Sequence, residues 1–288
     1  MKAPLFEATR VRIDVQGAPA LDGLSLATTG DRVLVLGAAR ALFEAASGVR
    51  VPVRGGVCVL GVPAAIALRG GGIACAPRDP PVPPKWSARE YVVRAARLYG
   101  NSRALSALRA SHALDQLQLG HVADGPLGRA SLFTRRATSI AAAMVANAPA
   151  VLLEDPLSGL ADDEARTLAR LVAHALAHCQ WVLFAPRLPL VSPLALAADE
   201  AMVILGSRVA GQGAPAELAA HAGAYALRVA GGASEFARRL VERGGEIAGS
   251  DSLFTVVLGA LTTRDLVAIA QESNAVILEL RPVAGAFG

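Results

Sequence analysis

Lysine is almost missing from this chain. Of its 28 Lys and Arg residues, only Lys2 and Lys85 are lysines; the first lies at the N-terminus and the second in a proline-rich segment, PPVPPKW. This scarcity bears on any phosphate-binding site, because the planar arginine fork does not replace the compact charge of a lysine ammonium. The arginines are scattered, with few aromatic residues between them. The sequence therefore predicts no nucleic-acid partner.

Cysteine is also scarce, and what there is forms no recognisable set. Cys58, Cys75 and Cys179 are odd in number and scattered, which predicts neither a disulfide framework nor a zinc site and fits a reducing cytosol. His174 and His178 have the i, i+4 spacing that can hold a metal together with Cys179. A helix C-terminus also favours histidine. We therefore predict no metal site.

Long apolar runs are missing, although 53% of the 288 residues are hydrophobic and the mean hydropathy is +0.43. The best stretch, 140–153, is interrupted by Asn147 and Pro149 and is too short to span a bilayer. The first residues, MKAPLFEATR, lack the apolar core of a signal peptide. We expect a cytoplasmic chain of about two domains, with no direct membrane insertion and enough apolar material for a core.

Strands alternate with helices over the first part of the chain. A half-buried strand is predicted over 9–15. A further strand is predicted from Arg32 to Leu36, and its continuous apolar run, Val33 to Leu36, ends at Gly37 before a helix over 38–47. A buried parallel strand that ends in glycine before a helix is the context of a phosphate-binding loop. Further strands are predicted at 21–26, 55–60, 73–77, 150–153, 181–184 and 201–205, and helices at 86–99, continuing to about 119, at 135–146 and at 162–178. This order predicts a parallel α/β sheet.

The pattern changes after Leu218. Strands are predicted at 225–229, 253–258 and 275–281, and helices at 233–243 and 263–272. This is a small α+β module with a ferredoxin-like order. We place its boundary between His221 and Ala224, which gives domains of 1–221 and 222–288.

The order of these segments resembles the nucleotide-binding subunit of an ABC transporter of the ABC-2 exporter type, including a C-terminal accessory module. The segment APALDGLSLATTGDRVLVLG is similar to the opening strands up to the P-loop. IACAPRDPPVPPKWSAREYVVRAARLYG resembles the Q-loop, and VANAPAVLLEDPLSGLADDEARTL resembles the Walker B motif and D-loop. The resemblance implies a P-loop NTPase-like ABC ATPase core with a helical subdomain at about 84–130.

The same resemblance implies a P-loop whose chemistry is missing. A P-loop needs a glycine-rich turn, a lysine for the β/γ-phosphates and a hydroxyl for Mg²⁺. Without a gap from Gly37, the last three positions fall on Leu42, Phe43 and Glu44; with a shortened loop, the segment is G-A-A-R-A-L and offers Arg40. Neither alignment supplies a lysine, and a carboxylate near the phosphates would repel them.

The other nucleotide-site positions implied by the resemblance also hold the wrong chemistry. The adenine-stacking position falls on Val15 or Gln16. The Q-loop position holds Arg78, and the Walker B positions hold Glu154 and Asp155 in exchanged order. The D-loop aspartate position holds Ala161, and the switch-histidine position holds Pro186. The signature positions hold bulky residues in place of glycines: Ser131, Leu132, Phe133, Thr134 and Arg135. Two carboxylates at a strand end could still hold a metal ion, but a solvated acid pair is the simpler interpretation.

These substitutions predict a catalytically degenerate ABC subunit, a pseudo-ATPase without a cofactor. The resemblance implies that it binds partner ABC ATPase or permease subunits as part of a hetero-oligomer and lies at the inner face of the membrane through them. One alternative is an atypical active ATPase that uses ATP and Mg²⁺ to power export. Another is a cytosolic scaffold that has no part in transport.

Overall fold

The computed structural model describes residues 2–190, 192–221, 224–250, 253–258 and 261–282. Its strands form three sheets, two of four strands and one of six. The strands are β1 (Phe6–Val15), β2 (Ala18–Ala27), β3 (Arg32–Leu36), β4 (Arg54–Val59), β5 (Val62–Pro63), β6 (Ile73–Ala76), β7 (Ala150–Glu154), β8 (Gln180–Ala185), β9 (Glu200–Leu205), β10 (Arg208–Gly213), β11 (Ala224–Ala230), β12 (Glu246–Ser250), β13 (Leu253–Val257) and β14 (Val276–Pro282). The helices are α1 (Ala39–Ala46), α2 (Ala64–Arg69), α3 (Ala88–Leu98), α4 (Arg103–Gln116), α5 (Leu132–Met144), α6 (Asp162–Ala175), α7 (Pro193–Leu196), α8 (Pro215–His221), α9 (Ala233–Glu242) and α10 (Thr263–Glu272).

The central sheet has the order β10-β9-β3-β8-β7-β6, and all its pairs are parallel except β9 with β10. Alternate residues of β3 face opposite sides, so Val33 and Val35 join one hydrophobic cluster while Leu34 and Leu36 join the other. A continuous apolar run is therefore what a strand covered on both faces requires. The predicted parallel α/β sheet is confirmed.

A second, antiparallel sheet has the order β2-β1-β4-β5. The turn between β1 and β2 consists of Gln16 and Gly17, both with positive φ, and Ala18 pairs with Val15. The short strand β5 and helix α2, which were not predicted, extend the edge next to β4.

Helices α3, α4 and α5 pack against one another and, through α5, against β6 and β7. Helix α3 begins with a capping box: Glu90 N–H donates to Ser87 Oγ at 3.1 Å, and Ser87 N–H donates to Glu90 Oε2 at 2.9 Å. The predicted continuous helical stretch is two helices, because the chain turns at Gly100 with φ of +83°. In the part of the chain that the structure describes, no helix is long and apolar enough to cross a bilayer.

The third sheet has the order β12-β13-β11-β14 and only antiparallel pairs. With helices α9 and α10 it has the β-α-β-β-α-β order of a ferredoxin-like unit, and it encloses its own hydrophobic cluster, which includes Leu227, Phe236 and Ile269. Strand β12 was missed by the sequence analysis. The predicted domain boundary falls on residues 222–223, which lie outside the described residues.

Candidate functional site

Most of the sequence-predicted site residues meet at one edge of the central sheet. Strands β3, β8, β7 and β6 are neighbours and parallel, so the residues that follow them lie at the same edge. These include Gly37, Pro186, Asp155 and, two residues after β6, Arg78. Ligands of open α/β sheets bind at this carboxyl edge, beyond the strand ends.

The connection from β3 to α1 contains only Gly37 and Ala38. Gly37 N–H donates to Ala185 O at 3.2 Å, and its φ is +104°. Leu42 and Phe43 lie in α1 and are almost completely buried, and the Phe43 ring contacts that of Phe184 edge-on at 5.9 Å. Leu42 and Phe43 therefore pack in the core instead of lining the β3–α1 connection, and the two-residue connection is as short as the shortened-loop alignment predicts.

Glu44 is held by two arginines. Its carboxylate accepts hydrogen bonds from Arg40 Nε at 2.9 Å and Arg50 Nε at 2.8 Å, and Arg50 also donates to Asp14 O at 3.0 Å. Burial opposes ionisation, but the hydrogen bonds from Arg50 and Arg40 outweigh it and lower the pKa of Glu44. The positive charges of Arg40 and Arg50 thus offset the repulsion that Glu44 was expected to exert on phosphates. The guanidinium of Arg40 is already paired with Glu44 in the absence of a ligand.

One of the two lysines, Lys2, lies away from this edge. Lys2 pairs with Asp31, which precedes β3 and so lies at the opposite end of that strand. Lys85 is exposed and lies in the segment between β6 and α3. The exposed cation nearest in sequence to the β3–α1 connection is Arg40, whose pKa is raised by Glu44 first and then by Glu154 and Asp79.

The acids at the end of β7 are bonded to the segment after β6. Glu154 Oε2 accepts a hydrogen bond from the backbone N–H of Arg78 at 3.0 Å, and Asp155 Oδ2 lies 3.6 Å from Arg78 Nη1. Asp155 is buried in a left-handed conformation with φ of +39°, and its N–H donates to Phe184 O at 2.8 Å. Burial raises the pKa of the Asp155 carboxyl, although Arg78 partly opposes the shift. Arginine therefore lies where a divalent cation would need open carboxylate oxygens.

Sequence analysis missed Arg136, the most buried cation of this edge. It lies on α5 with 5% of its surface exposed, donates to the carbonyl oxygen of Arg78, and pairs with Asp79 Oδ1 at 2.9 Å. Burial lowers its pKa, and its Nε has no hydrogen-bond partner. The sequence signal that could have found Arg136 is its spacing of three and four residues from Ser139 and Ile140, which are buried on the same face of α5.

The signature positions form the first turn of α5. Ser131 is the N-cap: its Oγ accepts from Thr134 N–H at 3.1 Å. Leu132 and Phe133 are partly exposed, and Phe133 packs against the core cluster beside α5. Arg135 donates to Ala130 O at 3.3 Å. Side chains therefore stand where glycine would leave the helix N-terminus open to a phosphate.

The remaining positions line or border a cavity of about 650 Å³ between α6 and the segment after β8. Asp155 and Pro186 line it, while Ala161 is the N-cap of α6 and makes no side-chain cap. Asp162 follows as the first residue of that helix. Within the described ranges, no group of three or more His, Cys, Asp or Glu side chains is arranged to hold a metal ion; His174, His178 and Cys179 are not such a group.

The residues present do not fit Mg²⁺-nucleotide. The loop supplies two residues instead of a phosphate cradle, and Arg78 and Arg40 are engaged by the acids of the chain itself. Val15 is the last residue of β1 and Gln16 lies in the following turn, so neither supplies an aromatic face.

Comparison with known proteins agrees with the fold. No family model matches the chain. The taurine import ATP-binding protein TauB of Mesorhizobium japonicum is 32% identical over 161 residues, which span 54% of this chain but only 62% of that protein. Among solved structures, cbiO1 from Clostridium perfringens, part of the ABC transporter complex cbiONQ, matches with a TM-score of 0.63 and 21% identity over 76% of this chain and 92% of that one. A nucleotide-free ATP-binding cassette from an ABC transporter matches with a TM-score of 0.62 and 18% identity over 73% and 91%. The chain has the mixed α/β fold of ABC ATP-binding cassettes.

Proposed function

We propose that this chain is an ABC transporter-type ATP-binding subunit that has lost ATP hydrolysis and acts by binding, and regulating or scaffolding, partner ATPase and permease subunits. The observation that carries the proposal is the contact of Arg78 with both Glu154 and Asp155. We assign these acids as the Walker B pair by their place at the end of β7. A working site needs them free for the metal and the attacking water.

The family assignment is supported by the similarity to the import protein TauB and by the cassette fold. The direction of transport is a separate question. An ABC-2 exporter type rests on the order of segments and on the C-terminal module, whereas TauB is named as an import protein. We retain the exporter type as part of the proposal.

Partner binding is supported by exposed apolar side chains on helices α3 and α4. Leu98 is 88% exposed and Leu108 is 68% exposed, and Tyr99 follows Leu98 at the end of α3. Apolar residues in such numbers on one helical pair favour a protein contact. We propose 84–130 as the interface, and location at the inner face of the membrane through these partners.

Hydrolysis by the purified chain tests the loss of activity. Phosphate release is measured with Mg-ATP for the wild type and for Glu154→Gln, which removes one of the two acids of the proposed Walker B pair. We expect the two proteins to release phosphate at the same background rate. Release above background that Glu154→Gln abolishes would contradict the proposal and support the alternative, an atypical active ATPase.

The effect on a partner tests the regulatory role. ABC ATPases complete each site with the signature of the opposite subunit, and here the glycines of that signature fall within Ser131–Arg135, a stretch that contains no glycine. Adding this chain to an intact ABC ATPase that co-purifies with it should leave turnover unchanged or lower it. A several-fold rise in turnover that is lost in Ser131→Ala would show that the divergent signature still completes a site.

A further inference from the structure

Helices α3, α4 and α5 join the central sheet through two short segments. The first, 77–87, runs from β6 to α3, and the second, 145–149, runs from α5 to β7. The orientation of the three helices relative to the sheet therefore depends on what holds these segments. Residues 77–79 of the first segment are bonded on both sides.

On the sheet side, Arg78 binds the end of β7 with both its backbone and its side chain. Its N–H donates to Glu154 Oε2 at 3.0 Å, and its guanidinium lies 3.6 Å from Asp155 Oδ2. It also donates to its neighbour Asp79 at 3.2 Å. The carboxylate of Glu154 is only partly exposed, which limits competition from water.

On the helix side, α5 binds the same residues from the other direction. Arg136 donates to Arg78 O and pairs with Asp79 at 2.9 Å, and its second Nη reaches Ser158 O at 3.4 Å. Ser139 Oγ, one turn along α5, donates to Pro77 O at 2.9 Å. Burying an arginine with an unpaired Nε costs free energy that an exposed arginine would not, so its place in this contact is a specific feature of the fold.

We propose that Arg78 and Arg136 form an internal cationic clamp that fixes α3–α5 to the carboxyl edge of the sheet in a single orientation, with no nucleotide required. The clamp joins β7, the segment after β6 and α5 through contacts made entirely within the chain. It rests on the proposed function in one respect: it holds the acid pair only where no Mg²⁺-nucleotide competes for it. A partner bound to α3 and α4 would then meet a fixed surface.

Hydrogen exchange at the backbone amide of Arg78 tests the clamp, because that N–H is bonded to Glu154 and is retained when the side chain is changed. Exchange is measured by mass spectrometry for the wild type, Arg136→Met and Arg78→Met, with and without Mg-ATP. The matched control is Arg97→Met, an exposed arginine on α3. A second variant, Asp79→Asn, replaces the test if Arg136→Met does not fold. It removes the negative charge that pairs with Arg136 and changes only an exposed carboxylate, so no buried side chain is lost.

We expect exchange at the amides of residues 78 and 79 to be faster by about tenfold or more in the clamp variants, because losing one charge-assisted hydrogen bond brings a factor of that size. The control should match the wild type. Exchange in Arg136→Met and Asp79→Asn within about twofold of the wild type would overturn the clamp. Micromolar binding of Mg-ATP would contradict the proposed function; exchange in the nucleotide-free variants judges the clamp separately.

Discussion

Gly37 is the residue that the resemblance aligns with the first glycine of a P-loop, and its presence has a structural cause. A Cβ built on Gly37 would lie 2.0 Å from the carbonyl oxygen of Ile204 in β9, and the backbone φ is +104°. A real Cβ does not approach backbone that closely, and L-residues rarely adopt this φ. Glycine is therefore required here by the packing of β3 against β9, whether or not a phosphate is bound.

We expect Gly37→Ala to lower the free energy of unfolding by roughly 2–6 kcal/mol. The strained φ accounts for about 1–3 kcal/mol, and forcing backbone away from the new methyl group for about 1–3 kcal/mol. The matched control is Gly71→Ala, because Gly71 also has a positive φ, of +69°, but no atom within 4 Å of the added Cβ. The control should show the strain without the clash.

Urea unfolding followed by tryptophan fluorescence measures the difference, since Trp181 is buried in β8 beside β3. The prediction is a lower midpoint for Gly37→Ala than for Gly71→Ala with an unchanged slope. If Gly37→Ala costs no more than Gly71→Ala, the close approach to Ile204 is not what requires glycine, and the argument fails.

Three further outcomes follow from the same edge of the sheet. Phe43→Ala should cost about 3–5 kcal/mol in unfolding free energy, because the ring is buried against Phe184; a loss below about 1 kcal/mol would mean that Phe43 is at an exposed loop. The lowered pKa of Glu44 stabilises the fold above the ordinary carboxyl pKa of about 4.3, and this stabilisation is lost as pH falls through the lower folded pKa. In an acid titration, Glu44→Gln should therefore lose stability less steeply than the wild type. Equal curves would refute the pairing of Glu44 with Arg40 and Arg50. The raised pKa of Asp155 acts in the opposite sense, so the free energy of unfolding falls as pH rises from the ordinary carboxyl pKa through the raised folded pKa. Asp155→Asn should remove that fall in urea titrations between pH 4 and 7. An unchanged dependence of the unfolding free energy on pH would count against the raised pKa.

The sequence predicted the strands of the central sheet well, because a buried parallel strand is a short continuous apolar run and such a run suggests few other elements. Strand β3 was predicted with the bounds that it has, Arg32–Leu36. Strand β12, with the sequence EIAGS, was missed because Gly and Ser weaken the alternation, and its pairing with β13 decides its conformation.

The site was predictable in position but not in its internal contacts. The residues after β3, β6, β7 and β8 were expected at one edge, and parallel pairing brings them there. The length of the loop after Gly37 stayed open because Leu42 and Phe43 suit either alignment until their burial is known. Arg136 was missed because its spacing to Ser139 and Ile140 is a weak signal on α5, where residues are buried on nearly every side of the helix.

Calorimetric titration of the purified chain with Mg-ATP tests the central claim most directly, because it asks whether the edge that holds Gly37, Arg78 and Glu154 accepts a nucleotide at all. The account predicts no binding with a Kd below about 1 mM, which corresponds to a binding free energy of roughly 4 kcal/mol. A Kd in the micromolar range that Glu154→Gln weakens would contradict the account and identify the chain as an atypical nucleotide-binding ATPase.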